Sequence, residues 1–527
     1  LVATAALATA TLAAGPTPAG AQASKGGEIR FGLEAETTGG FCISQAQLVV
    51  SGIQIAAAIY DTLTAPNTKG EYVPNLAESV TPNATFNEWT IKLRPNIKFH
   101  NGEPLNADAV KLNIDSWRGA NPNLPARLFI FVFSNIADVQ KVDDLTVKVT
   151  TKTPWAAFPA YLYLSGRAGI MAPAQINNPA TCATNMIGTG PFRLEDWKVN
   201  QSLTVVKNPN YWKKDAKGNP LPCLDKITFV PIPDSPTRDT QLQGGQLDIM
   251  HTSSAQSIDR LKSVSGVKLT IEKPGNRETR YYLINAQKAP FTDPNARLAL
   301  AYALNTKEIN QIRNKGQNEL ARSTMDRKSP GYLKNNGFPK YNLKKARQLV
   351  SEVKAKNGGS FDITFLTTND SENLAEAQLL VEQVQKAGIS ARISQVDQST
   401  LVNELLSGNF SVTLVRNFHS DPAYGDASNY VWFSKGSPVN FSRFDDPAVQ
   451  AALDAGRVST DPEALTKAYE DFNRAMARGV YNVPAWYSTW ALASRGLTGQ
   501  TGAPLPDGSK PLSLNGRFPV DSLCKTR

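Results

Sequence analysis

Residues 361–414 constrain the fold of this chain more than any other stretch, because the apolar period there switches between two and about 3.6 repeatedly. Phe361, Ile363 and Phe365 alternate with polar neighbours, as in a half-buried strand. Over 371–386 the pattern turns helical, with Leu374, Leu380, Val381 and Val384 on one face, and Gly388 stops it. Ile389, Ala391 and Ile393 alternate again, 400–406 reads as a second helix ended by Gly408, and Phe410, Val412 and Leu414 make a third strand. Strand–helix–strand–helix–strand at this spacing requires two crossovers, and so a parallel α/β sheet. Ligands of open α/β sheets bind beyond the carboxyl ends of strands, near a switch point. The third strand runs out into Arg416-Asn417-Phe418-His419-Ser420-Asp421, so topology alone nominates that hexapeptide.

The rest of the chain is too long for one core. At 527 residues it exceeds the size at which a single hydrophobic core keeps growing, and 41% hydrophobic with 19% charged content is globular. A first strand is expected at 27–33, followed by a helix carrying Ile53, Ile55, Ala56 and Ile59. Up to about residue 185 the pattern is mixed α+β without a repeat. Within it Trp89, Ile91 and Leu93 alternate with Thr90, Lys92 and Arg94, Pro95-Asn96 breaks the strand, and Asn101-Gly102 makes a tight turn. Asn106 then caps a helix that turns Ala109, Val110, Ile114 and Trp117 inward. Gly188-Thr189-Gly190-Pro191-Phe192 reads as a tight backbone turn, too short for a dinucleotide fingerprint. A helix over 294–304 is capped by Asp293, and another over 462–476 by Asp461, with Pro462 at its first position.

The wording NEWTIKLRPNIKFHNGEPLNADA, residues 87–109, resembles the LRPGVKFHDGTPLTAEDV segment of the family 5 extracellular solute-binding proteins, the dipeptide, oligopeptide and nickel binders of ABC importers. GTGPF followed by NPNYW matches that family's GTGPY and NPDYW; Leu224-Asp225-Lys226-Ile227, the GGQLDI run ending at Ile249, Asn285 with Pro290-Phe291, and Val483-Pro484-Ala485-Trp486-Tyr487 follow in order. The resemblance spans about residues 26–490. It implies an α/β periplasmic-binding-protein (Venus-flytrap) fold: two α/β lobes with a hinge, plus an inserted α+β domain. The implied division is a partial signal peptide at 1–23, lobe I from 24–62, 187–277 and 493–527, the insertion at 63–186, and lobe II at 278–492. It implies a monomeric, non-enzymatic protein with no cofactor, capturing a peptide and delivering it to ABC permease subunits. A nickel or metal chelate, haem or another small solute is the alternative ligand on the same fold.

By the same resemblance, Asp421 falls on the aspartate that holds a peptide's α-ammonium in peptide-binding members. A buried amine needs such a carboxylate; the competing reading is a turn before Pro422, with Asp426 the rival aspartate. Phe418 matches an aromatic position that flanks the ligand backbone, or is a core aromatic. Arg416 is a candidate for a ligand carboxylate or a surface charge. Trp432 and Tyr430 line a side-chain pocket or the core, Phe41 lies where relatives approach the ligand, and His419 replaces the small residues common there.

Residues 1–23 are rich in Ala, Leu and Thr, carry no charge and end in Ala21-Gln22-Ala23, like a signal-peptidase site. They predict export to the periplasm or another extracytoplasmic space, and Gly39-Gly40-Phe41-Cys42 is not a lipobox. Four distant cysteines in an exported chain predict two disulfides, with three connectivities open. Cys182 with Cys223 is the first expectation, since both flank one segment, which leaves Cys42 with Cys524. The net charge of +10 is scattered rather than clustered, so nucleic acid is not an expected partner. There is no G-x-S-x-G elbow, Walker A loop or H-E-x-x-H, as a peptidase or nucleotide enzyme would show, and the three histidines His100, His251 and His419 lie far apart in sequence. No metal site is expected.

Overall fold

The computed structural model describes residues 23–526 apart from Lys25, Thr38, Gln47, Pro125, Asn276, 417–420, Pro422 and Leu514. Two mixed sheets carry the architecture. The first has seven strands, in the order Val267–Ile271, Ala491–Arg495, Ile249–Thr252, Glu28–Leu33, Lys226–Pro231, Ser202–Lys207 and Phe192–Lys198. Glu28–Leu33 lies parallel to both Lys226–Pro231 and Ile249–Thr252, and Phe31 packs on its register partner Phe229 with ring centroids 5.5 Å apart. The second has five strands, in the order Ser390–Val396, Asp362–Thr368, Val412–Arg416, Glu278–Ile284 and Asn482–Ser488. Asp362–Thr368 is parallel to both Ser390–Val396 and Val412–Arg416, the crossover geometry that the apolar periodicity demanded. Its crossover helices, Ser371–Lys386 and Gln398–Ser407, pack into different apolar clusters: Leu380 and Val384 join Tyr282 and Phe365, whereas Leu401 and Leu405 join Val415 and Trp432.

The chain crosses between the sheets twice, from Ile271 to Glu278 and from Ser488 to Ala491. The Glu272 amide donates to the Trp490 carbonyl at 2.8 Å, tying the two crossing segments into a hinge. The result is a two-lobed α/β Venus-flytrap fold.

Between Leu63 and Met186 lies a four-stranded antiparallel sheet, ordered Ala77–Pro82, Glu88–Leu93, Thr146–Thr151 and Ile136–Asp143. Helix Ala107–Trp117 covers it; the Asn106 side chain caps that helix on the Ala109 amide at 2.9 Å, and Val110, Ile114 and Trp117 are buried. The GTGPF run is a close backbone crossing: a Cβ at Gly188 would come within 2.1 Å of the Ile59 carbonyl oxygen. His100 holds this crossing from the side, accepting from the Gly188 amide at 3.3 Å through Nδ1 and donating from Nε2 to the Gly190 carbonyl at 3.1 Å. From NPNYW, Tyr211 and Trp212 donate to the buried Asp61 carboxylate at 3.2 and 2.9 Å. His100 thus ties the segment after Leu93 to the GTGPF run, and NPNYW is tied to Asp61 at the end of the first helix.

The disulfides are Cys42–Cys182 and Cys223–Cys524, which corrects the expected pairing. Proximity along the chain misled. The hairpin Phe192–Lys207 returns the backbone so that Cys223 sits beside Gly26, whose amide donates to the Cys223 carbonyl at 2.9 Å. The terminal strand Cys524–Thr526 pairs there with Ala23–Ser24. Cys182 instead lies under the 39–46 loop, where the Phe41 amide donates to the Ala183 carbonyl at 2.8 Å. Among the described residues no helix is long and apolar enough to cross a membrane, and no cluster of His, Cys, Asp or Glu has metal-binding geometry.

Candidate functional site

A cavity of about 1140 Å³ lies between the lobes, where strand Glu28–Leu33 of one sheet and Val412–Arg416 of the other run out. Both strand ends supply charge. Glu34 follows the first strand, its amide donating to His251 Nε2 at 3.1 Å, and Arg416 ends the second. Arg416 Nη2 meets Glu34 Oε1 at 2.6 Å across the cleft, and Nη1 donates to the Ser253 hydroxyl. The guanidinium also covers the Trp490 ring at 4.8 Å and stands 3.7 Å from Glu278, the first residue of the strand after the hinge. Burial pushes the Glu278 carboxyl up to about 7, although Arg416 and the Trp490 indole pull it down. His251 is buried and neutral: burial holds it down to about 4, and Nδ1 donates to the Gly516 carbonyl at 3.0 Å.

Of the residues nominated from sequence, Arg416 and Trp432 line the cavity. Arg416 is already engaged by Glu34; Trp432 packs edge-on against Phe441 at 5.6 Å. Phe41 is fully buried against Trp197 at 5.4 Å, so it supports a cleft residue without lining the cleft. Asp421 is buried outside the lining, and its carboxylate accepts from the Ala423, Tyr424 and Ala427 amides at 3.2, 3.1 and 3.0 Å. Burial raises it to about 6, against those amides. Its geometry is that of a turn former ahead of helix Asp426–Phe433. Asp426 is buried too, accepting from the Trp155 indole at 3.2 Å. Tyr430 stacks on Phe131 at 6.0 Å and lies 4.0 Å from the Arg457 guanidinium. Phe418 and His419 lie outside the described residues.

Sequence reasoning missed most of the charged lining. Arg280 forms a two-point pair with Glu376, at 3.1 and 2.9 Å, and also donates to Asn373 at 2.6 Å. Glu372 accepts from Ser254 at 2.5 Å and from Ser235 at 3.2 Å, a second bridge between lobes. Arg238 and Arg313 complete this end. A signal was present: Glu278 and Arg280 sit in the strand ETRYYLI, buried along its whole length, and charges in such a strand require partners.

The family described as bacterial extracellular solute-binding proteins, family 5 middle, matches residues 71–442, well over half of the chain. The chain belongs to this family. The function that this family's description gives is extracellular solute binding. Among its relatives, the glutathione-binding protein GsiB of Pectobacterium atrosepticum is 28% identical over 429 residues, which are 79% of this chain and 80% of that protein. The solved structure of the ABC transporter-associated periplasmic binding protein DppA from Helicobacter pylori, in complex with the peptide STSA, superposes with a TM-score of 0.84 over 95% of this chain and 99% of that one, at 20% identity. The binding protein AgaA from A. tumefaciens R10, in complex with agropinic acid, gives a TM-score of 0.83 over 95% and 99% of the two chains at 24% identity.

Proposed function

We propose that this protein captures short peptides between its lobes and presents them to the permease of its importer. The observation that carries the reading is the cleft's composition: one space of about 1140 Å³ between the lobes offers arginines, carboxylates and apolar side chains together. That volume exceeds the roughly 300–1,000 Å³ usual for drug-sized ligands, leaving room for a peptide of a few residues. A peptide brings both charge signs and apolar side chains, so each kind of lining has a counterpart. The names of the glutathione-binding and peptide-bound relatives support the same class.

In this reading lobe I comprises 24–62, 187–277 and the C-terminal return, with 63–186 inserted and lobe II beginning at 278. Pairing of Ala491–Arg495 in the seven-stranded sheet supports starting the return two residues before 493. Residues 1–23 act as an export signal cleaved after Ala23, a reading that rests on Ala21-Gln22-Ala23. Intact mass of the exported protein tests it.

The test of function is mass spectrometry of the solute that co-purifies, followed by thermal shift with peptides, nickel chelates, haem and opines. A peptide at about 100 times its Kd stabilises the fold by about 2.7 kcal/mol. A shift from chelate, haem or opine alone overturns the peptide reading.

A further inference from the structure

The positive charge of this chain is spread along its length with one exception. Residues 327–351 carry seven Lys and Arg and no Asp or Glu. Four of those cations, Lys340, Lys344, Lys345 and Arg347, fall within eight residues around the start of helix Leu343–Lys356, and all four are exposed. Tyr341 stands among them with 45% of its surface exposed.

The neighbouring carboxylates are engaged elsewhere. Glu382 is 2.7 Å from Lys386, Asp293 is 3.2 Å from Lys356, Glu352 accepts from Gln348 at 3.1 Å, and Glu308 accepts from Gln383 at 3.2 Å. Among the described residues, none of the four cations has a carboxylate within 4.0 Å. The Lys345 ammonium stands 5.4 Å over the Tyr302 ring instead, and Arg347 Nε donates to the Lys386 carbonyl at 3.0 Å. Lys344 and Lys345 also fall in the first helical turn, where the macrodipole disfavours cations, and no acid accompanies them. Their placement costs the fold stability, so folding does not account for it.

Nor does the solute. Glu372, at one end of helix Ser371–Lys386, lines the cavity; Lys386, whose carbonyl Arg347 holds, is at the other end. A helix of 16 residues puts about 24 Å between those ends. The patch is therefore on the outer side of the second lobe, away from the cleft.

Resting on the reading above only for a place beside a membrane permease, we propose that residues 340–347 form a docking surface for anionic phospholipid headgroups. Lysines and an arginine meet the phosphates, and the exposed tyrosine ring lies at headgroup level, where such amphipathic rings favour the interface. Attraction to the surface raises the concentration of the protein beside the permease it serves.

Co-sedimentation of the purified protein with vesicles tests this. The wild type should bind mixed phosphatidylcholine–phosphatidylglycerol vesicles about tenfold or more tightly than phosphatidylcholine alone, and lose that binding as salt rises from about 0.1 M to about 1 M. Replacing Lys340, Lys344, Lys345 and Arg347 together by Gln should weaken binding to the anionic vesicles about tenfold or more, with a melting temperature at or above that of the wild type. A second variant, with Lys69, Lys217, Lys262 and Lys510 replaced by Gln, loses the same charge from exposed positions elsewhere and should stay within about threefold of the wild type. No preference for anionic vesicles, or equal losses in the two variants, overturns the docking surface. Binding to neutral vesicles that carry the permease, lost in the first variant alone, would assign the patch to an acidic protein face and overturn the lipid assignment. Each of these outcomes leaves solute capture standing, because the patch and the cleft are separate, and the co-purified solute reports on the cleft alone.

Discussion

Arg280 and Arg416 stand directly opposite each other on adjacent antiparallel strands, and each has its own carboxylate: Glu376 at 2.9 Å for Arg280, Glu34 at 2.6 Å for Arg416. Like charges facing across a sheet repel, so neither arginine is tolerable here without its partner. The partners differ in origin. Glu376 comes from helix Ser371–Lys386 of the same lobe, whereas Glu34 reaches over from the other lobe. One pair lies within a lobe, and the other crosses the cleft.

Glu376→Gln should destabilise the second lobe by about 3–5 kcal/mol, the usual cost of removing one member of a buried ion pair. It leaves Arg280 uncompensated and facing Arg416. Denaturant melts of wild type, Glu376→Gln and Arg280→Met/Glu376→Leu check this. The double variant should recover most of the loss, since it removes the stranded charge as well.

The hinge carries a titration that can be isolated. Glu272 is pushed up to about 8, mainly by burial, against the hydrogen bond it accepts from the Asn515 amide at 2.8 Å, while Glu278 nearby raises it further. Its folded pKa lies above its unfolded one. Below about pH 4.5 the carboxyl is protonated in both states; as pH rises towards 8 the unfolded chain releases the proton first, and stability falls. Glu272→Gln cannot titrate. It should match the wild type near pH 4 and exceed it near pH 8 by roughly 2–4 kcal/mol, at about 1.4 kcal/mol per pKa unit. His251, held down to about 4, acts in the opposite sense, with stability lost as pH falls below the ordinary histidine range, but it is common to both proteins and cancels in the difference. Urea melts at the two pH values decide it. An equal gain at both would mean packing, not titration.

Non-reducing peptide maps should link Cys42 to Cys182 and Cys223 to Cys524, with no Cys182–Cys223 product. The second bond closes the larger loop, with a sequence separation of 301 against 140. Cys223→Ser/Cys524→Ser should cost about 2–5 kcal/mol and free the terminal strand from the start of the first sheet. Hydrogen exchange at residues 524–526 would report that release before global unfolding does.

Local order was legible where the signal lies within one element or between neighbours. The caps at Asn106, Asp293 and Asp461 are each made by the side chain that the sequence nominates, and the parallel strands of 362–416 follow from periodicity alone. The family motifs were legible as well, yet in the structure they serve assembly: His100, Gly188 and Gly190 lock a backbone crossing, and Tyr211 and Trp212 satisfy Asp61. The cleft was not legible in the same way, because its partners are far apart in the chain. Glu34 and Arg416 are 382 residues apart, and Arg280 and Glu376 are 96 apart. No local pattern encodes such pairs. Phe41 failed as a nomination for a related reason: its position near a strand end suggested the cleft, but the Cys42–Cys182 bond and the Trp197 ring turn that loop into core.

Glu34→Gln tests the closed-state pair directly. The amide removes the charge that Arg416 meets across the cleft and leaves Arg416 with Glu278 at 3.7 Å and the Ser253 hydroxyl. Ligand-free protein should then populate open forms more, seen as a larger radius of gyration in solution scattering. A bound solute must supply the closure energy that Glu34 no longer contributes, so affinity should fall by about 1–3 kcal/mol, the range for a hydrogen bond to a charged group. Lys315→Ala provides the comparison. Lys315 also bridges the lobes, to Asp259 at 3.1 Å, but its side chain is 63% exposed and solvent screens the pair. Its removal should leave both scattering and affinity nearly unchanged. Equal effects from the two variants would mean that bridging in general sets closure; a loss confined to Glu34→Gln would identify the buried pair as the contact that holds the cleft shut.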